Sequence, residues 1–231
     1  MATFISLGSN CYVSWTLRKA GLQNQSYAFD WINSFKFNDL IRYIDNFSED
    51  IFLNMEKSPV NVDKDKNDSY FIKEYNFRLP HEHDIKKDIT FPEIAEKYKR
   101  RYNRLKDVCQ NSDDIIFLRV VAHRCYDLAP ETENDFSDYL EYVRVLNNFC
   151  GHSNYKLCLL SEKGWPPPPA TEIQNIIKLN LEVPFENGFF NLVNAKEQGA
   201  EAITLFSNGL ENLKNYLSDN NQKLKYPFSL G

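Results

Sequence analysis

Ile115-Ile116-Phe117-Leu118-Arg119-Val120-Val121 is the stretch that decides the fold. It is almost wholly apolar and has the length of a strand. A strand of this composition has no polar face to present to water, so the run predicts a strand buried on both faces, at the centre of a sheet. Arg119 is the exception within it. A buried arginine needs a partner for its charge, and we expect either an acidic side chain or a bound anion.

Predicted strands and helices alternate on both sides of this run. Other strand patterns precede Gly8 and cover 70–77, 155–160 and 176–183, and helical spacing is found at 11–20, 38–47, 91–108, 136–149 and 202–217. Alternation of this kind is typical of an α/β domain with a largely parallel central sheet flanked by helices. We therefore predict one α/β domain over 1–231, with an exposed loop at 54–69 and a proline-rich connector at 164–169.

The composition indicates which broad classes of protein this chain can belong to. The 231 residues are 42% hydrophobic and carry a net charge of −5, which supports a large core and argues against a nucleic-acid binder. The five cysteines fit neither a disulfide framework nor a zinc motif, so we expect a reducing, cytoplasmic location and no metal. The sequence contains neither a signal-peptide pattern nor an apolar run long enough for a membrane span.

The candidate site begins where the first predicted strand ends. Gly8-Ser9-Asn10-Cys11 forms a polar turn, and Cys11 opens the predicted helix that Gly21 ends. Ligands of parallel sheets bind beyond the carboxyl ends of the strands, where this turn is expected to lie. The N–H groups and the positive dipole end of a helix favour either a thiolate or a bound anion, so the turn admits two kinds of chemistry.

The first kind is nucleophilic catalysis by Cys11. A cysteine nucleophile needs a base within hydrogen-bond reach and a third group that orients the base. Candidates for the base are His81 and His83, and candidates for the orienting group are Asp30, Asp84 and Asn10. The structural alternatives are that Cys11 is simply packed in the core and that Asp30 is a helix cap or a buried hydrogen-bonding group.

The second kind is recognition of phosphate. Main-chain N–H groups of Gly8, Ser9 and Asn10 would act together with arginines further along the chain, namely Arg100, Arg101, Arg104 and Arg119. That set predicts a metal-independent glycosyltransferase with a nucleotide-sugar as co-substrate, or a non-enzymatic module that binds an anion. The alternative for the arginines of 91–108 is a solvated helix face.

Several of these motifs together resemble a known family. They are Ser6-Leu7-Gly8-Ser9-Asn10-Cys11, Phe29-Asp30-Trp31, Pro80-His81, Tyr98-Lys99-Arg100-Arg101-Tyr102-Asn103-Arg104 and Phe117-Leu118-Arg119. Their order resembles a domain of unknown function labelled "putative papain-like cysteine peptidase", over roughly the first 150 residues. The resemblance implies a Cys11 nucleophile and a histidine base, carried onto His81 with His83 as second choice. It gives a papain-like α+β fold as the alternative to α/β. For the cysteine-dependent enzyme we expect hydrolysis of an amide or a related acyl bond in a peptide, small-molecule or glycan substrate, with no cofactor.

Overall fold

A computed structural model of the chain describes residues 2–8, 11–34, 36–57, 70–80, 82, 90–121, 139–163 and 175–184. In chain order its helices and strands are β1 (Thr3–Ser6), α1 (Cys11–Lys19), β2 (Asn33–Ser34), α2 (Phe37–Asp45), β3 (Glu56–Lys57), β4 (Tyr70–Ile72), β5 (Phe77–Leu79), α3 (Phe91–Asn111), β6 (Ile115–Val121), α4 (Tyr139–Cys150), β7 (Tyr155–Lys163) and β8 (Ile176–Pro184). Single 3₁₀ turns cover Glu49–Phe52 and Lys73–Tyr75.

The main sheet is parallel, with the strand order β1-β6-β7-β8. β6 lies between β1 and β7, and each side chain from Ile115 to Val120 is no more than 1% exposed. The prediction of a central strand buried on both faces is therefore confirmed. In the register, Ser6 of β1 is the partner of Leu118, so the residues that follow β1 lie beside the last part of β6.

Helices α2, α3 and α4 share one hydrophobic core with the face of the sheet that carries Ile5, Phe117 and Leu157. The aromatic rings of Tyr43 and Tyr102 lie within this core. α3 begins at a capping box formed by Thr90 and Glu93, of which Thr90 could be predicted as a cap from the sequence. The Thr90 main-chain N–H donates to the Glu93 carboxylate at 2.7 Å, and Pro92 occupies the first turn, where its missing N–H costs nothing.

A second, smaller sheet is antiparallel and has the order β2-β5-β4-β3. The aromatic segment predicted as a strand or a strand pair at 70–77 is a pair, since β4 and β5 are joined by the turn at Lys73–Tyr75. Strands β2 and β3 were not predicted, because two residues are too few to show an alternating pattern.

The described elements make this an α/β fold with a parallel four-stranded sheet and flanking helices, as predicted. The predicted helix at 202–217, the connector at 164–169 and residues 58–69 of the predicted loop lie outside the described residues. Within the part of the chain that is described, none of the helices has the length and the apolar character needed to cross a bilayer.

Candidate functional site

The turn after β1 is packed against the segment that leads into α2. Gly8 has a φ of +73°, and a Cβ placed on it would lie 2.8 Å from Ser34 Oγ and 3.4 Å from the carbonyl oxygens of Ile32 and Phe29. Its N–H donates to Ser6 Oγ at 3.2 Å. A left-handed residue in so tight a place must be glycine. Ser9 and Asn10, which complete the turn, lie outside the described residues.

Arg119 of β6, the strand next to β1, holds the residues around Gly8 in place. Its Nη1 donates to the Leu7 carbonyl oxygen at 3.2 Å and to Ser34 Oγ, and its Nη2 donates to the Ser34 carbonyl oxygen at 2.8 Å. The guanidinium also lies over the ring of Phe37, 5.4 Å from its centroid. The sequence predicted an acidic partner or an anion for Arg119. These hydrogen bonds are accepted by hydroxyl and carbonyl oxygens, and they hold Leu7, the neighbour of Gly8 in sequence, close to Ser34, on which Gly8 packs. An acidic partner or a bound anion for Arg119 stays a prediction.

Cys11 is the first residue of α1, at the carboxyl end of β1. Its side chain is half-buried and its thiol is free, whereas Val13 and Leu17 of the same helix are fully buried. Burial raises the pKa of the Cys11 thiol, and its main-chain hydrogen bond opposes only part of that rise. Because the thiolate is the nucleophilic form, this thiol needs a base to remove its proton at neutral pH.

Asp30 lies beside the second turn of α1 and is fully buried. Its Oδ2 accepts from the Tyr27 N–H at 2.8 Å and from Gln23 Nε2 at 2.7 Å, with Arg18 Nη2 at 3.5 Å. Burial raises the pKa of Asp30 to about 6. These partners and the Ser14 hydroxyl lower the pKa, but burial has the larger effect. These contacts tie the loop after α1 to the helix that Cys11 opens. A role in orienting the base stays a prediction.

The two histidines proposed as bases, His81 and His83, lie outside the described residues, but Glu82 between them is described. Glu82 is 2% exposed and its carboxylate binds two residues of α3, with Lys97 Nζ at 2.6 Å and Tyr98 Oη at 3.0 Å. Sequence reasoning missed Glu82, because a glutamate in a polar turn gives no signal of burial.

The arginines of α3 contact groups of this chain. Arg100 pairs with Glu96 at 3.6 Å, Arg101 Nη1 lies 4.0 Å from Glu82, and Arg104 donates to the Ser26 carbonyl oxygen at 2.9 Å. Arg100 and Arg104 are solvated, as the structural alternative predicted for this face. The nucleotide-sugar hypothesis requires these guanidinium groups at the Gly8 turn, and their contacts give it no support.

Comparisons with known proteins add to this geometry. The chain is similar to "Uncharacterized protein R408" of Acanthamoeba polyphaga mimivirus, with 25% identity over 174 residues, which is 68% of this chain and 76% of the viral protein. No solved structure matches the chain significantly. A family model described as "Putative papain-like cysteine peptidase (DUF1796)" matches residues 2–146, which include β1, α1 and the turn between them. The chain therefore belongs to this family.

Proposed function

We propose that this protein is a cysteine-nucleophile hydrolase that cleaves a peptide or a small amide. The observation that carries the proposal is the position of Cys11, a half-buried free thiol on the first residue of a helix at the carboxyl end of a parallel strand. Ligands bind at that edge of parallel sheets, and the start of a helix offers N–H groups to a developing negative charge. The family description agrees with this chemistry.

The proposed reaction begins with transfer of the Cys11 proton to a histidine, for which we propose His81, with His83 as the alternative. The thiolate then attacks the carbonyl carbon, and the electron pair of the C=O bond moves to oxygen. Main-chain N–H groups at the start of α1 would stabilise that oxyanion. Collapse of the intermediate breaks the C–N bond, and the amine leaves with the proton from the imidazolium. Water, deprotonated by the same histidine, hydrolyses the thioester.

This chemistry requires a thiol, an imidazole and main-chain donors, so we propose that it needs no cofactor. It also requires that Cys11 stay reduced, which a cytoplasmic location would ensure. Asp30 or Asn10 would orient the histidine. The contacts of Asp30 with Tyr27 and Gln23 favour a further role for its carboxylate, which is to hold the loop after α1 in place.

The proposal is tested by alkylation of the native protein with iodoacetamide, followed by peptide mass analysis. Cys11 should react, whereas Cys109, Cys150 and Cys158, each no more than 1% exposed, should react only after unfolding. A thiolate paired with an imidazolium stays reactive below neutral pH. We expect His81→Ala to slow the labelling of Cys11 at pH 6 about tenfold, equivalent to one pKa unit, and His83→Ala to leave it unchanged.

Loss of the reactivity at pH 6 in His83→Ala instead would move the base to His83 and leave the reaction class intact. An alkylation profile that neither histidine variant changes would exclude the proposed pair. A library of peptide and amide substrates, assayed with Cys11→Ala as the inactive control, then tests hydrolysis itself.

A further inference from the structure

We propose that Glu82 is a positioning residue, which holds the turn carrying the candidate bases against α3. This inference rests on the proposed function, because it concerns how the histidine is placed for the reaction of Cys11. Glu82 itself is buried under α3, so its effect on the reaction would pass through its two neighbours in sequence.

The contacts of Glu82 divide between its two oxygens. Oε2 lies 2.6 Å from Lys97 Nζ, and Oε1 accepts from Tyr98 Oη at 3.0 Å with Arg101 Nη1 at 4.0 Å. A carboxylate that is 2% exposed is stable only when it is paired and hydrogen-bonded. Short hydrogen bonds between charged groups are also the stronger kind. Glu82 is therefore fixed in this place.

The residues of α3 that contact Glu82 include a tightly packed tyrosine. Tyr98 is fully buried, and its ring is stacked on that of Phe52 with centroids 4.5 Å apart and planes at 13°. Consecutive Cα atoms are about 3.8 Å apart across a trans peptide. His81 and His83 are the neighbours of Glu82 in sequence, so the proposed positioning by Glu82 would apply to whichever of them is the base.

The same face of α3 also contacts the loop after α1. Lys97, Arg101 and Arg104 are spaced by four and then three residues, which places them on one helix face. Lys97 and Arg101 contact Glu82, whereas Arg104 donates to the Ser26 carbonyl oxygen, and Arg18 of α1 donates to Ser26 Oγ at 2.7 Å. One face of α3 therefore contacts both Glu82 and the loop that follows the helix of Cys11.

A purely structural ion pair would stabilise the fold without affecting the reactivity of Cys11. The two roles are separated by the pH profile of Cys11 alkylation in Glu82→Gln, which keeps the shape of the side chain and removes its charge. Tyr98→Phe is a milder second variant that removes one hydrogen bond. The matched control is Glu49→Gln, since the more exposed Glu49 pairs with another lysine of α3, Lys99, at the same separation of 2.6 Å.

We expect Glu82→Gln to slow the labelling of Cys11 at pH 6 by about tenfold, or one pKa unit, and Tyr98→Phe to slow it less. Glu49→Gln should leave the profile unchanged. In the background of His81→Ala, or of His83→Ala if His83 is the base, Glu82→Gln should have no further effect, because the group that it positions is absent. Circular dichroism at the labelling temperature verifies that each variant is folded.

Suppose that the pH profile of Cys11 alkylation in the wild type depends on a histidine. A folded Glu82→Gln or Tyr98→Phe variant with the wild-type profile would then overturn this inference and leave the proposed function intact. Effects of Glu82→Gln and of the alanine variant of the base that add in full would also overturn it, because Glu82 would then act independently of that histidine. A wild-type profile that depends on neither histidine would overturn the proposed function, and this inference with it.

Discussion

The guanidinium of Arg119 and the main chain of Ser34 are joined by a buried hydrogen bond of 2.8 Å, from Nη2 to the carbonyl oxygen. Arg119 belongs to β6 of the parallel sheet and Ser34 to β2 of the antiparallel sheet, so the bond links the two sheets. It forms beside Gly8, where Ser34 Oγ leaves no room for a side chain. The surroundings of Gly8, three residues before Cys11, therefore depend on a strand that is far away in the sequence.

Arg119→Lys should destabilise the fold, because one ammonium group cannot replace a planar fork that reaches both Leu7 and Ser34. We expect a loss of about 2–4 kcal/mol in the free energy of unfolding, since buried acceptors lose their donors. Urea denaturation gives this value. Arg144→Lys is the control, since Arg144 is exposed in its pairs with Glu141 and Asp45, and it should change stability little.

Gly8→Ala should cost more than Gly21→Ala, although both glycines have a positive φ near 70°. At Gly21 a Cβ meets nothing within 4 Å, so only backbone strain of about 1–2 kcal/mol is expected. At Gly8 the contact at 2.8 Å with Ser34 Oγ adds to that strain, and we expect about 2–4 kcal/mol in all. Thermal unfolding measures both variants. Equal losses would contradict the packing described here.

Asp30→Asn should change how stability depends on pH. The pKa of Asp30 rises from an ordinary 3.8 to about 6 in the folded protein, chiefly through burial. Between these values the folded state holds a proton that the unfolded state has lost, so stability falls as pH rises, by about 3 kcal/mol in all. Below the ordinary pKa, Asp30 is protonated in both the folded and the unfolded protein. Above the folded pKa it is ionised in both, and the loss of stability is complete.

The asparagine variant lacks this titration. The free energy of unfolding of the wild type, minus that of Asp30→Asn, should therefore fall by about 2 kcal/mol between pH 4 and pH 7, since at pH 4 the unfolded carboxyl is already more than half ionised. Urea denaturation at several pH values, followed by near-ultraviolet circular dichroism, gives the difference. A difference that stays constant with pH, or that rises, would contradict a buried carboxyl with a raised pKa.

Elements with many apolar contacts could be predicted from the sequence. β6 has the bounds that its apolar run predicts, and α3 begins after Thr90 because the capping threonine and Pro92 give a start signal in addition to the helical spacing. α2 begins at Phe37, one residue before the predicted start. In each case the local pattern and the tertiary packing favour the same structure.

The polar contacts around the site could not be predicted in the same way. The place of Arg119 in an apolar strand indicated a buried partner, but no pattern in the sequence indicated that Ser34 supplies two of its acceptors. Glu82 is hidden for the same reason, because only the fold brings it to Lys97 and Tyr98. Pairings between distant residues leave no periodic trace in the sequence.

The pairing of β1 with β6 also has a consequence during synthesis. Leu7 and Arg119 are separated by 112 residues, so the segment that contains Gly8 is made long before the strand that positions it. At about 5–20 residues per second, roughly 6–22 seconds pass between the two on the ribosome. For that time Cys11 is an ordinary cysteine on a nascent chain, and any reactivity that its site confers begins only when β6 is in place.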